Sequence, residues 1–221
     1  MGKKLEEIVG FNELTGKIKG ITESPTFRLL KTSLSKVAGD YYHSVDGNEA
    51  KELVLNESRA RELADKLWEV AATHIAVNYL KLKEAQIQEL KEMKDPASGK
   101  SQWETFIREH LGIDKDGIYE SLKTRGVVKP EEIDTLVRPI YEQHANVIAT
   151  KMVTPAIDTM EKAQAALRYL GDLKKAHPQA YEGVNIPTTF KSVDEAQRLY
   201  VSLARALPPD SKPNVPYKKA A

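Results

Sequence analysis

Between Glu49 and Asp95 the chain contains neither glycine nor proline. Leu, Ala, Glu, Lys and Gln dominate this run, the residues that lose least on becoming helical. A run so free of breakers is a helix, and the rest of the chain has to cover it. Asn56 is a candidate N-cap, so the helix starts near 49 or near 57. From 57 to 94 it would extend about 57 Å at 1.5 Å per residue. Leu63, Leu67, Val70, Ala71, His74 and Asn78 fall along one stripe. Trp68, Ala72, Ile75, Tyr79 and Leu82 fall along another. Two apolar stripes need covering on more than one side, which makes this the central helix. The segment "KDPASGKS" ends it.

Other helices are legible on both sides. Ser24 and Pro25 suit an N-cap and first helical position. Phe27, Leu30, Leu34, Val37 and Tyr41 then recur at helical spacing. Two short helices are expected at about 102–111 and 115–124. Pro130 opens a further helix carrying Ile133, Val137, Ile140, Val147 and Ile148, with Pro139 inside it. Ile157, Met160, Leu167, Leu170 and Leu173 mark another. Ser192 with Glu195 forms a capping box before Val193, Ala196, Leu199 and Leu203. No segment alternates apolar and polar residues as a half-buried strand would. The fold class is therefore all-α: an irregular helical bundle of about seven or eight helices around one long central helix, with an extended Pro-rich C-terminal arm.

Three segments are expected. Residues 1–23 form a weakly ordered N-terminal arm, because Gly10, Gly16 and Gly20 make a helix costly. Residues 24–207 form the helical domain, with a candidate sub-boundary near 95–101. Residues 208–221, "PPDSKPNVPYKKAA", hold four of the chain's 11 prolines and form an extended tail.

Composition removes several function classes. Lys and Arg number 33 against 32 Asp and Glu, so no global field draws in nucleic acid or an anionic membrane. No cysteine is present, which excludes disulfides, thiol catalysis and thiolate metal sites. No segment approaches the roughly 20 apolar residues of a membrane span. The start, "MGKKLEEIVG", lacks the apolar stretch of a signal peptide. A cytoplasmic or virion-associated protein would fit.

The stretch "HLGIDKDGIYESLKTRG", His110 to Gly126, invites two motif readings. As a calcium loop it fails: Asp114 and Asp116 fill the first two ligand positions, but Ile118, Tyr119 and Arg125 stand where a ligand, a glycine and a bidentate Glu are needed. As a helix-turn-helix it has the turn glycine, Gly112. Against it, Arg108 stands at the crowded helix crossing and Asp114 and Asp116 at the end that would face DNA. A structural hairpin capped by Asp114 is the better reading. Five histidines, 43, 74, 110, 144 and 177, make no HxxxH or ExxH pair. His74 and His144 sit on apolar faces, as hydrogen-bonded core histidines do. Neither a phosphate loop nor a nucleophile elbow is present.

No catalytic, metal or cofactor site is thus expected, and the chain reads as non-enzymatic. The expected function is that of a helical structural or interaction protein, a self-assembling scaffold, adaptor or coat-like subunit, whose partner is a second copy or another protein. Val215, Tyr217, Lys218 and Lys219 of the tail are the candidate contacts. The alternative is a nucleic-acid binder using Lys115, Lys123 and Arg125 of the 102–126 hairpin, or the basic C-terminus. If Asp114 is the cap, Asp114→Ala should lower stability by about 0.5–2 kcal/mol, measured by chemical denaturation.

Overall fold

The computed structural model describes residues 2–46, 51–97, 99–187 and 189–206. The all-α class is found. The helices are α1 (Gly2–Gly20), α2 (Pro25–Asp46), α3 (Glu57–Asn78), α4 (Glu84–Glu92), α5 (Gln102–Leu111), α6 (Lys115–Arg125), α7 (Ile133–Val153), α8 (Met160–Ala176) and α9 (Val193–Ala206). Among the described residues the only sheet is a two-residue antiparallel ladder. It pairs β1 (Leu53–Val54) with β2 (Val127–Val128), Leu53 opposite Val128. The chain divides into two compact units. One is Ser24–Val147; the other joins the chain up to Glu23 with the chain from Ile148 onward.

In the Ser24–Val147 unit, α3 is the hub. Asn56 caps it, its Oδ1 accepting from Arg59 N at 2.9 Å. Both apolar stripes are covered: Leu63, Leu67, Ala71, Ala72 and Ile75 are inaccessible to solvent. α2, α5 and α6 pack on α3. Trp68 meets Trp103 of α5 edge to face at 6.3 Å, a preferred aromatic geometry.

The continuous helix expected over 57–94 is not found. α3 ends at Asn78 and α4 begins at Glu84. Leu80 N donates to Ile75 O and Leu82 N to Ala76 O, closing the helix end on itself. Lys81 takes a left-handed φ of 58° without being glycine. A straight helix would hold residues 69 and 91 about 33 Å apart, yet the Lys91 ammonium pairs with the Glu69 carboxylate. Lys91 also stands over the Trp103 ring at 5.5 Å. Folding α4 back lets Ile87 and Leu90 reach the same core, and that burial outweighs the helical propensity of residues 79–83.

Nor does 95–101 divide the chain. Gln102 N donates to Met93 O and Asp95 N to Lys100 O, so backbone bonds tie the two ends of the segment together. Helices on both sides of it share one core.

In the other unit, residues 2–20 are helical rather than a weakly ordered arm. Glycine lowers intrinsic helix stability by about 1 kcal/mol each relative to alanine. Burial overrides it: Phe11, Leu14, Thr15 and Ile18 are all buried, and α1 packs on α8 and α9. Gln197 in the first turns of α9 donates from Nε2 to Ile157 O, just before α8, at 2.7 Å. The connection from α8 to α9 therefore travels back along α8 rather than closing a short hairpin. α9 opens with the Ser192 half of the expected capping box, Glu195 N donating to Ser192 Oγ at 3.2 Å; the Glu195 carboxylate instead accepts from Lys191 N at 2.6 Å, one residue before the cap.

Leu67→Ala should cost about 2–5 kcal/mol, the range for a fully buried leucine. A thermal or urea melt of the variant measures it, and an unchanged midpoint would place the core elsewhere.

Candidate functional site

The 102–126 hairpin is built into the core. Gly112 adopts φ 76°, and a Cβ there would fall 2.6 Å from Val147 Cγ2, so the turn is pressed onto α7. Asp114 caps α6 as expected, its Oδ1 accepting from Gly117 N at 2.9 Å. The three basic residues of the nucleic-acid reading are engaged within the chain. Lys115 lies 3.0 Å from Glu104 and 3.9 Å from Asp65, and stands over Trp68 at 4.9 Å. Lys123 lies over the Tyr119 ring at 5.4 Å, and Arg125 Nη2 donates to Thr135 O at 3.4 Å. Asp116 adds a negative charge beside Arg61 and Lys100. A small cavity between Trp68, Arg108 and Lys115 holds about 20 Å³, room for one water.

Both histidines on apolar faces are hydrogen-bonded within the Ser24–Val147 unit. His74 Nε2 lies 2.9 Å from Thr26 O, and His144 Nδ1 lies 2.9 Å from His110 O. Burial lowers the His74 pKa, with the Thr26 hydrogen bond pulling the other way. His144 stacks parallel to Phe27 at 6.2 Å and meets Tyr79 edge-on at 5.0 Å. Among the described residues no cluster of three His, Asp or Glu side chains could hold a metal ion, and no helix is long and apolar enough to cross a membrane. Val215, Tyr217, Lys218 and Lys219 lie outside the described residues.

A large concave feature lies in the unit containing α8, and the sequence did not signal it. It is a groove of about 1230 Å³, open along one side. Met160, Gln164, Arg168, Gly171 and Lys175 line it. These positions recur at three and four residues, so they form a single stripe along the whole of α8. The returning connection supplies Pro178, Asn185, Ile186, Pro187 and Phe190, and Phe11, Leu167 and Tyr169 complete the apolar part. A Cβ built on Gly171 meets nothing within 4 Å, so this helical glycine leaves the groove floor bare.

The charges around the groove are Arg168, Lys174 and Lys175 against Asp172. Lys174 donates to Val184 O and thereby ties the returning connection to α8. Lys175 pairs with Asp172 at 3.6 Å on the exposed surface. Between its ends α8 pairs its own backbone groups, so that stretch of the groove wall presents side chains.

Next to the groove sits a buried tyrosine cluster. Tyr169 OH donates to Asn12 Oδ1 at 3.1 Å. Tyr200 OH donates to Phe11 O at 2.9 Å and lies 2.6 Å from Thr15 Oγ1. The Phe11 ring contacts both tyrosines, at 5.7 and 6.0 Å. Tyr181 is 2% exposed, and its hydroxyl has no partner among the described residues. Burial raises the phenol pKa of both Tyr181 and Tyr200, with neighbouring tyrosines adding to it. The two hydroxyls should respond oppositely to deletion. Tyr200→Phe should cost about 1–3 kcal/mol by stranding its buried partners, whereas Tyr181→Phe should be neutral or stabilising. Paired denaturation curves check this, and a large loss from Tyr181→Phe would reveal an unseen partner for that hydroxyl.

No protein-family model, curated protein or solved structure matches this chain.

Proposed function

We propose that this is a non-enzymatic helical interaction protein whose groove along α8 receives an extended segment of polypeptide. The groove carries this reading. Its volume exceeds the roughly 300–1,000 Å³ usual for small-molecule pockets, and it is a trough rather than an enclosed cavity. The stripe from Met160 to Lys175 is about 22 Å long at helical rise. At about 3.3 Å per residue, that length seats about seven residues of extended chain. The lining mixes aromatic and aliphatic anchors with a few polar groups, as peptide grooves do. Among its described lining residues no nucleophile is paired with a base and no metal ligands are gathered, which favours a binding surface.

The test is selection of random 12-residue peptides on the immobilised full-length protein, followed by titration of the enriched peptides. Gly171→Phe is the control variant, since a side chain there projects into open groove. Micromolar peptides that lose at least tenfold in affinity on Gly171→Phe support the reading. Enrichment indifferent to Gly171→Phe, or no enrichment with a 20-base-pair duplex bound instead, overturns it.

A further inference from the structure

We infer that the segment received by the groove is acidic: an extended stretch of a partner protein that sets an Asp or Glu carboxylate on Arg168 and an apolar side chain against Met160. The inference rests on the proposed peptide-binding role of the groove and names the class of peptide it takes.

Charge is the first argument. The groove lining carries Arg168, Lys174 and Lys175 against Asp172 alone. Two of these cations are engaged within the chain: Lys174 donates to Val184 O, and Lys175 pairs with Asp172. Arg168 is exposed, and its Nε donates to Gln164 O, one turn back, at 3.3 Å. Among the described residues no carboxylate pairs with it. The two terminal nitrogens of its guanidinium can therefore take both oxygens of a carboxylate, the geometry in which Arg holds an acid best. A positive lining also draws acidic segments and turns basic ones away.

The apolar surface within reach lies elsewhere on the groove. Met160, the first residue of α8, is 44% exposed. Ile186, Pro187 and Phe190 are half-buried. The Phe11 and Tyr169 rings, by contrast, belong to the buried cluster and support the groove from beneath. A flexible thioether such as Met160 adapts to the side chain it meets.

Spacing sets the register. Arg168 lies eight residues after Met160 on the α8 stripe, about 12 Å at helical rise. In an extended chain alternate side chains face one wall, at about 3.3 Å per residue. Two side chains four positions apart thus face the same wall about 13 Å from each other. The peptide that fits carries its acid four positions from its apolar anchor.

The other wall can hold the peptide backbone. Val184 N donates to Tyr181 O, and Lys191 N to the Glu195 carboxylate. Between them Asn185, Ile186, Thr189 and Phe190 make no hydrogen bond among the described residues. This non-helical stretch has amides and carbonyls to offer an extended segment, as strand-adding recognition requires.

The experiment selects random 12-residue peptides on the full-length protein, once on wild type and once on Arg168→Glu. Glu is a good helix former at this exposed position, and circular dichroism melts check the fold; Arg168→Gln replaces Arg168→Glu if that variant melts early. Wild-type peptides should be rich in Asp and Glu, with an apolar residue four positions from the acid. Arg168→Glu should weaken them at least tenfold, and exchanging that acid for Lys in the peptide should restore binding to the variant. Peptides that bind in a Gly171-dependent way without an excess of acid, or that the Arg168 variant leaves unchanged, overturn the inference while the groove reading survives. An acidic peptide that binds equally well after its apolar anchor is changed to Ser also overturns it. Loss of all Gly171-dependent peptide binding overturns both.

Discussion

Burial of α3 on several faces at once is the constraint on which the Ser24–Val147 unit depends. A helix inaccessible to solvent at Leu63, Leu67, Ala71, Ala72 and Ile75 must be wrapped, and each neighbour is positioned by that demand. α2, α5 and α6 pack against it, and α4 turns back so that Lys91 reaches Glu69 and Trp103. The hairpin of α5 and α6 serves the same end. Its turn glycine is pressed against Val147, and Lys115, the first residue of α6, is drawn between Glu104, Asp65 and the Trp68 ring. A residue type that could have touched phosphate is here used to close the surface over the core.

What the sequence made legible were the features with local causes. Ser24, Asn56, Asp114 and Ser192 each accept from a backbone amide three residues on, because capping is settled within one turn. The periodic apolar faces of α2, α3, α7 and α9 also emerged from spacing alone. Two misreadings share one physical origin. Residues 79–83 have good helical propensity and no breaker, yet the chain turns there, with Lys81 in the left-handed region. Residues 2–20 hold three glycines and still form α1. In both, contacts distant in sequence outweigh a propensity difference of roughly 1 kcal/mol per residue.

The groove was illegible for a different reason. Its α8 stripe, Gln164, Arg168, Gly171 and Lys175, reads in sequence as a solvated polar face. Its other wall is a connection without periodicity, whose course is fixed by Gln197 reaching Ile157 and Lys174 reaching Val184. Neither contact has a sequence signature. The one available hint was the apolar content of 178–190: Pro178, Val184, Ile186, Pro187 and Phe190 are more than a purely solvated loop needs.

The same bookkeeping of backbone groups that governs the helices bears on what the groove can bind. Between its ends a helix pairs its own amides and carbonyls, which lets α3 sit in the core and lets the middle of α8 form a wall with little unmet hydrogen-bonding demand. That wall can attract a ligand only through side chains and apolar surface. A ligand that brings many amides has to leave them wet, strand them or turn them toward the irregular wall at 185–190.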